Sequence, residues 1–125
     1  MIRRSRVRMR AGTAALLITL MGATACHSHH VEVTVENRTG AAIQLLEVDY
    51  PSASFGKDSL AAGSDLPYRI QVQGISLLKL QYTAANGHQV QIKGPALSEG
   101  QQGSIVIVLL PDGKAEFHPQ LTPGS

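Results

Sequence analysis

The chain has no tryptophan, one cysteine and only five aromatic residues among 125. A single cysteine excludes an internal disulfide, so the fold must rest on packing and hydrogen bonding. Two phenylalanines and three tyrosines leave little material for the aromatic platform that usually supports glycosidase-type carboxylate pairs. All three methionines, Met1, Met9 and Met21, precede Cys26. The rest of the chain therefore lacks thioether ligands, which argues against a Met-rich copper(I) carrier. Charge is sparse as well: after Cys26, six basic residues stand against nine acidic ones, a net charge of −3. That mildly acidic balance gives no electrostatic footprint for nucleic acid, and no nucleic-acid partner is expected. Apolar residues at helical spacing are missing over any useful length, which argues against an α-helical or mixed domain.

The basic residues that do occur are concentrated at the start. Arg3, Arg4, Arg6, Arg8 and Arg10 precede the uncharged stretch Ala11 to Ala25, AGTAALLITLMGATA. This is the order of an export signal, a cationic region followed by an apolar one. A membrane-spanning helix needs about 20 apolar residues, and this run is shorter and is followed by polar His27, Ser28, His29 and His30. Arg3-Arg4 lacks the hydrophobic residues that follow a twin-arginine pair in its export class.

The sequence Ala23-Thr24-Ala25-Cys26 resembles the lipobox of bacterial lipoproteins, with Ala23 where that family most often has leucine. The resemblance covers the first quarter of the chain. It implies attachment of a diacylglycerol to the Cys26 sulfur, cleavage before that residue and acylation of the new amino terminus, so that the membrane becomes a partner through lipid. It also implies delivery to the periplasmic face of the outer membrane where a host has two membranes, since His27 is not the aspartate associated with inner-membrane retention. Ala23-Thr24-Ala25 is equally an A-x-A site for ordinary signal peptidase. The alternative product is a soluble exported protein with a free thiol. Expected organisation is a signal peptide over 1–25, a polar tether over 26–30, a folded domain over 31–118 and a loose tail over 119–125.

Beyond the tether, alternation takes over. Val31, Val33 and Val35 interleave with Glu32, Thr34 and Glu36, the pattern of a strand with one buried and one wet face. Similar patterns predict strands over 42–50, from Pro67 through Val72, over 78–83 and over 88–93, with Asn86-Gly87 as the hairpin turn between the last two. Ser104 to Leu110 runs apolar without alternation and reads as a central strand buried on both sides, returned by Asp112-Gly113 into Lys114 to His118. A short edge strand or loop is expected around Ala53 to Lys57, and a loop over Gly94 to Gly103. Seven to eight short strands separated by turn signals predict an all-β fold, a single antiparallel β-sandwich of immunoglobulin-like type. A small OB-type barrel has the same alternation and is the alternative.

Few residues suggest chemistry, and no cofactor is expected. His27, His29 and His30 sit beside Cys26 and could supply two or three imidazoles to a metal. An acylated Cys26 would be a thioether and no longer a thiolate ligand, and no Cys-x-x-Cys or His-Glu-x-x-His frame supports the site. His88 and His118 could each act as a general base for a hydrolase, but no serine lies in a Gly-x-Ser-x-Gly elbow. Glu47 and Asp49 share one strand face and read as a solvated surface. Asn37-Arg38-Thr39 matches the N-glycosylation pattern and reads as a turn. Tyr50, Phe55 and Tyr68 flank the segment Pro51 to Pro67, which with Gly94 to Gly103 is where a partner surface would lie if loops carry one; the bland reading is that both segments simply connect the sheets. The expectation for function is a non-enzymatic binding or structural module that contacts another envelope protein or polymer.

Overall fold

The first three valines of the domain are fully buried and the residues between them face outward, so the alternation read in the sequence becomes strand β1 (Val31–Asn37). The computed structural model describes residues 29–124. The strands that follow are β2 (Ile43–Tyr50), β3 (Ala53–Leu60), β4 (Asp65–Ile70), β5 (Ser76–Thr83), β6 (Gln89–Leu97), β7 (Gln102–Leu110) and β8 (Lys114–Thr122). A single 3-10 turn, Pro111–Gly113, joins the last two.

Two four-stranded sheets result, with orders β4-β1-β7-β8 and β3-β2-β5-β6. Their facing sides enclose one core. Val31, Val33, Val35, Ile105, Ile107 and Leu109 come from the first sheet, and Ile43, Leu46, Val48, Leu78, Leu80 and Tyr82 from the second. The expected all-β sandwich is therefore present, and the closed-barrel alternative is not, because each sheet ends in two edge strands.

Connectivity departs from the immunoglobulin arrangement. As in that fold, the second and fifth strands pair. Here, however, the first strand lies between the fourth and the seventh, and the third lies beside the second. The β1–β7 pair is also parallel, with Val33 beside Ile105, whereas every other pair is antiparallel. Alternation fixes which face of a strand is buried but not which neighbour it finds.

Two boundaries extend beyond the sequence expectation. β6 continues to Leu97, and only Ser98 to Gln101 remain as a loop. The strand passes Gly94 and Pro95 through a bulge opposite Leu78. A Cβ on Gly94 would stand 2.7 Å from the Phe117 ring, so this glycine lets the neighbouring β8 side chain in rather than ending the strand. Pro119 to Thr122, expected as a loose tail, are the second half of β8 and pair with Gln102 to Ile105.

Proline placement explains how strands continue through such residues. Pro67, Pro95 and Pro119 lie in β4, β6 and β8, which are all edge strands. A missing N–H breaks no ladder there, and it blunts the edge against pairing with other chains. The fourth edge, β3, has no proline and carries Lys57 and Asp58 instead.

Candidate functional site

Tyr50 ends β2, Phe55 lies in β3 and Tyr68 in β4, and the fold gathers these three where the edge of one sheet passes the edge of the other. Phe55 points into the core and is buried. Tyr68, opposite Val33, covers Phe55 from the other sheet with ring centroids 4.4 Å apart and planes 10° from parallel. Tyr50 stands 6.4 Å from Phe55 at a tilt of 48°. Burial, and secondarily the neighbouring Tyr68, raises the pKa of the Tyr50 hydroxyl above its ordinary value. Tyr68 is 45% exposed, so the stack presents a ring edge and a hydroxyl to solvent beside the unpaired side of β3. An amphipathic aromatic of this kind offers apolar contact and a hydrogen bond to the same partner.

Sequence reasoning named these three aromatics only as flanks of a presumed loop. Most of that segment is strand: within 51–67 only the turns at 51–52 and 61–64 are irregular. Where a long loop was expected, the structure has a strand edge with an aromatic stack.

Other candidate residues are dispersed. Cys26 and His27 lie outside the described residues. His29 and His30 lead into β1, and the His30 carbonyl accepts a hydrogen bond of 3.2 Å from the Gly103 N–H. Among the described residues no group of three or more His, Cys, Asp or Glu side chains is placed to hold a metal ion. His88 is exposed in the β5–β6 turn, where its N–H donates to Asn86 Oδ1 at 3.0 Å. His118 is exposed on the outer face of β8, with Nε2 3.3 Å from Glu116 Oε1. Neither imidazole makes a hydrogen bond to a hydroxyl among the described residues. Glu47 and Asp49 lie on the outer face of β2 as expected, and Glu47 accepts a bond of 3.0 Å from Gln81 Nε2.

Asn37 is the residue whose role the sequence understated. It is fully buried, and its Nδ2 donates to the carbonyls of Ala41 at 2.8 Å, Leu60 at 3.0 Å and Ala61 at 3.2 Å. Its Oδ1 accepts from the Thr39 N–H and hydroxyl. One amide thereby ties the β1–β2 turn to the end of β3. With both functions used and no exposure, it is a structural amide and not a glycan acceptor.

No family model matches the chain, and no curated protein matches it significantly. Among solved structures it is similar in fold to an NMR structure of a protein from Eubacterium rectale. The TM-score is 0.53 over 78% of this chain and 91% of that one, at 10% identity. A likeness at that identity speaks to the sandwich fold alone.

Proposed function

We propose that the chain is a lipid-anchored protein of a bacterial cell envelope whose sandwich has a non-enzymatic binding or structural role. One observation carries this reading: five arginines, an uncharged apolar stretch and Ala23-Thr24-Ala25 precede the chain's single cysteine in that order. Lipid on Cys26 would tether the domain, on the periplasmic face of the outer membrane in a host with two membranes. The placement of β1 supports this, because the sandwich begins only five residues after Cys26. The dispersed positions of His88, His118 and Glu47 support a role without catalysis. The β3 edge with Phe55 and Tyr68 is the surface on which an envelope protein or polymer would dock, since an unpaired strand edge can add an extended segment.

Metabolic labelling with a fatty-acid probe, together with intact mass, tests the anchor. The full chain and Cys26→Ser are expressed in a bacterial host with lipoprotein processing. Label and lipid mass on the wild type and their loss in the variant are expected. An unlabelled protein beginning at Cys26 would overturn the anchor and define a soluble exported protein with a thiol.

A further inference from the structure

The end of the sandwich from which the chain runs back to Cys26 has an unusual surface. Val31 opens β1 beside Ile70, the last residue of β4, and Gly103, near the start of β7. The segments 71–75 and 98–101 are therefore gathered around the point where the tether leaves. They are fastened to one another: the Gly100 N–H donates to the Val72 carbonyl at 3.2 Å, and the Gly74 N–H donates to Glu99 Oε1 at 3.1 Å. Glu99 is the only charged residue in the two segments. At their tip Ile75 is 79% exposed, and Leu77, which follows on the outer face of β5, is 41% exposed. Leu77 lies opposite exposed Ala96.

One step further along the same face, Lys79 and Lys93 are directly opposite each other on β5 and β6, and both are exposed. Like charges placed so are destabilising. Asp49 is the cross-strand neighbour of Lys79 on its other side, yet neither lysine forms an ion pair with it or with any other acid among the described residues. Along a strand, residues two apart are separated by about 6.6 Å, so the lysines form a cationic row just behind an apolar tip. Such a sequence of apolar contact and then ammonium groups matches the depth profile of a bilayer surface, acyl boundary first and lipid phosphates next.

We infer that this end of the sandwich is seated on a phospholipid bilayer, with Ile75 and Leu77 at the acyl boundary and Lys79 and Lys93 at the lipid phosphates. The inference rests on the lipid anchor proposed above. Five residues from Cys26 to Val31 span at most about 17 Å when fully extended, so an anchored domain cannot withdraw this end far from the membrane. Anchor and contact would then act together, each holding the other at the surface.

The absence of tryptophan makes the test direct, because one introduced indole is the sole reporter. The full processed chain carrying Ile75→Trp is reconstituted into vesicles of phosphatidylethanolamine and phosphatidylglycerol containing acyl-brominated lipid. A blue-shifted, quenched emission is expected at position 75. Ala85→Trp, exposed in the β5–β6 turn at the opposite end, should keep its emission in buffer. Adding Lys79→Gln and Lys93→Gln should reduce quenching at position 75 in these vesicles but not in vesicles of phosphatidylcholine alone. If the protein floats with the vesicles while position 75 is quenched no more than position 85, the contact is overturned and the anchor stands. Unchanged quenching in the lysine variant overturns the phosphate contact. A protein that does not float overturns contact and anchor together.

Discussion

Phe55 and Tyr68 lie face to face at 4.4 Å, although one belongs to β3 at the edge of the second sheet and the other to β4 at the edge of the first. The stack closes the side of the sandwich where the chain crosses between sheets, and it does so with a ring that remains half in water. Phe55→Ala should cost about 3–5 kcal/mol, the range for truncating a buried phenylalanine. Tyr68→Ala should cost less, about 1–2 kcal/mol, because its ring is half-exposed. A double-mutant cycle by urea denaturation should give a coupling of about 0.5–1.5 kcal/mol. Strict additivity would mean that the rings touch without supporting one another.

Asn37 makes a separate prediction. Replacing it with alanine leaves the carbonyls of Leu60 and Ala61 without their side-chain donor and opens a buried gap. A loss of about 2–4 kcal/mol is expected by chemical denaturation. Asn37→Asp keeps the shape but cannot donate when ionised, so it should lose stability too. Near-wild-type stability of the aspartate variant would show that the donated bonds contribute little.

Leu45 should respond in the opposite direction. It occupies a bulge in which Leu45 and Leu46 face the single residue Tyr82 of β5, and its φ is 53°, a left-handed conformation unfavourable for leucine. Its side chain is 64% exposed, so little burial is lost on truncation. Leu45→Asn is expected to raise stability by about 0.5–1 kcal/mol, and Leu45→Val to lower it, since β-branching worsens the same strain. Thermal unfolding of the two variants beside the wild type decides it.

The alkaline limit of stability follows from two tyrosines. Burial raises the pKa of Tyr50 and Tyr82 above the ordinary value of 10.0, with Tyr68 adding to the effect on Tyr50. Above pH 10 the unfolded chain releases these protons while the folded chain retains them. Folding stability is therefore full below that pH and declines as pH rises through the folded values. Tyr50→Phe and Tyr82→Phe should each flatten the decline in urea titrations between pH 9 and pH 11. An identical slope in both variants would place the responsible groups elsewhere.

Alternation in β1, β2 and β5 was visible in the sequence because each strand buries one face in a common core, whereas β7, apolar without alternation and expected to be buried on both sides, fully buries only Ile105, Ile107 and Leu109. Asn86-Gly87 marked its hairpin by the φ > 0 its turn requires. β3 was harder to read, since it buries only Phe55 and Leu60 and exposes six polar or small residues. The end of β6 was hidden by Gly94-Pro95, which looks like a loop unless the ring of Phe117 is known to lie against it. The aromatic stack could not be read at all: Phe55 and Tyr68 meet only after β3 and β4 have gone to different sheets. For the same reason the lysines of the second sheet's outer face, Lys79 and Lys93, appear in the sequence as scattered surface charge.

The parallel pairing of β1 with β7 has a bearing on the order in which the molecule can assemble. β1 sits in the interior of its sheet, flanked by β4 on one side and β7 on the other, so the first strand made is among the last to be completed. The hairpin of β2 with β3 and that of β5 with β6 can form as soon as their own residues are present, but nothing closes the first sheet until the C-terminal residues arrive. Such distant pairing makes folding slow. It also keeps an emerging chain open until its last strands are released, so that the edge of β1 that β7 covers stays exposed for as long as synthesis of the rest of the chain takes.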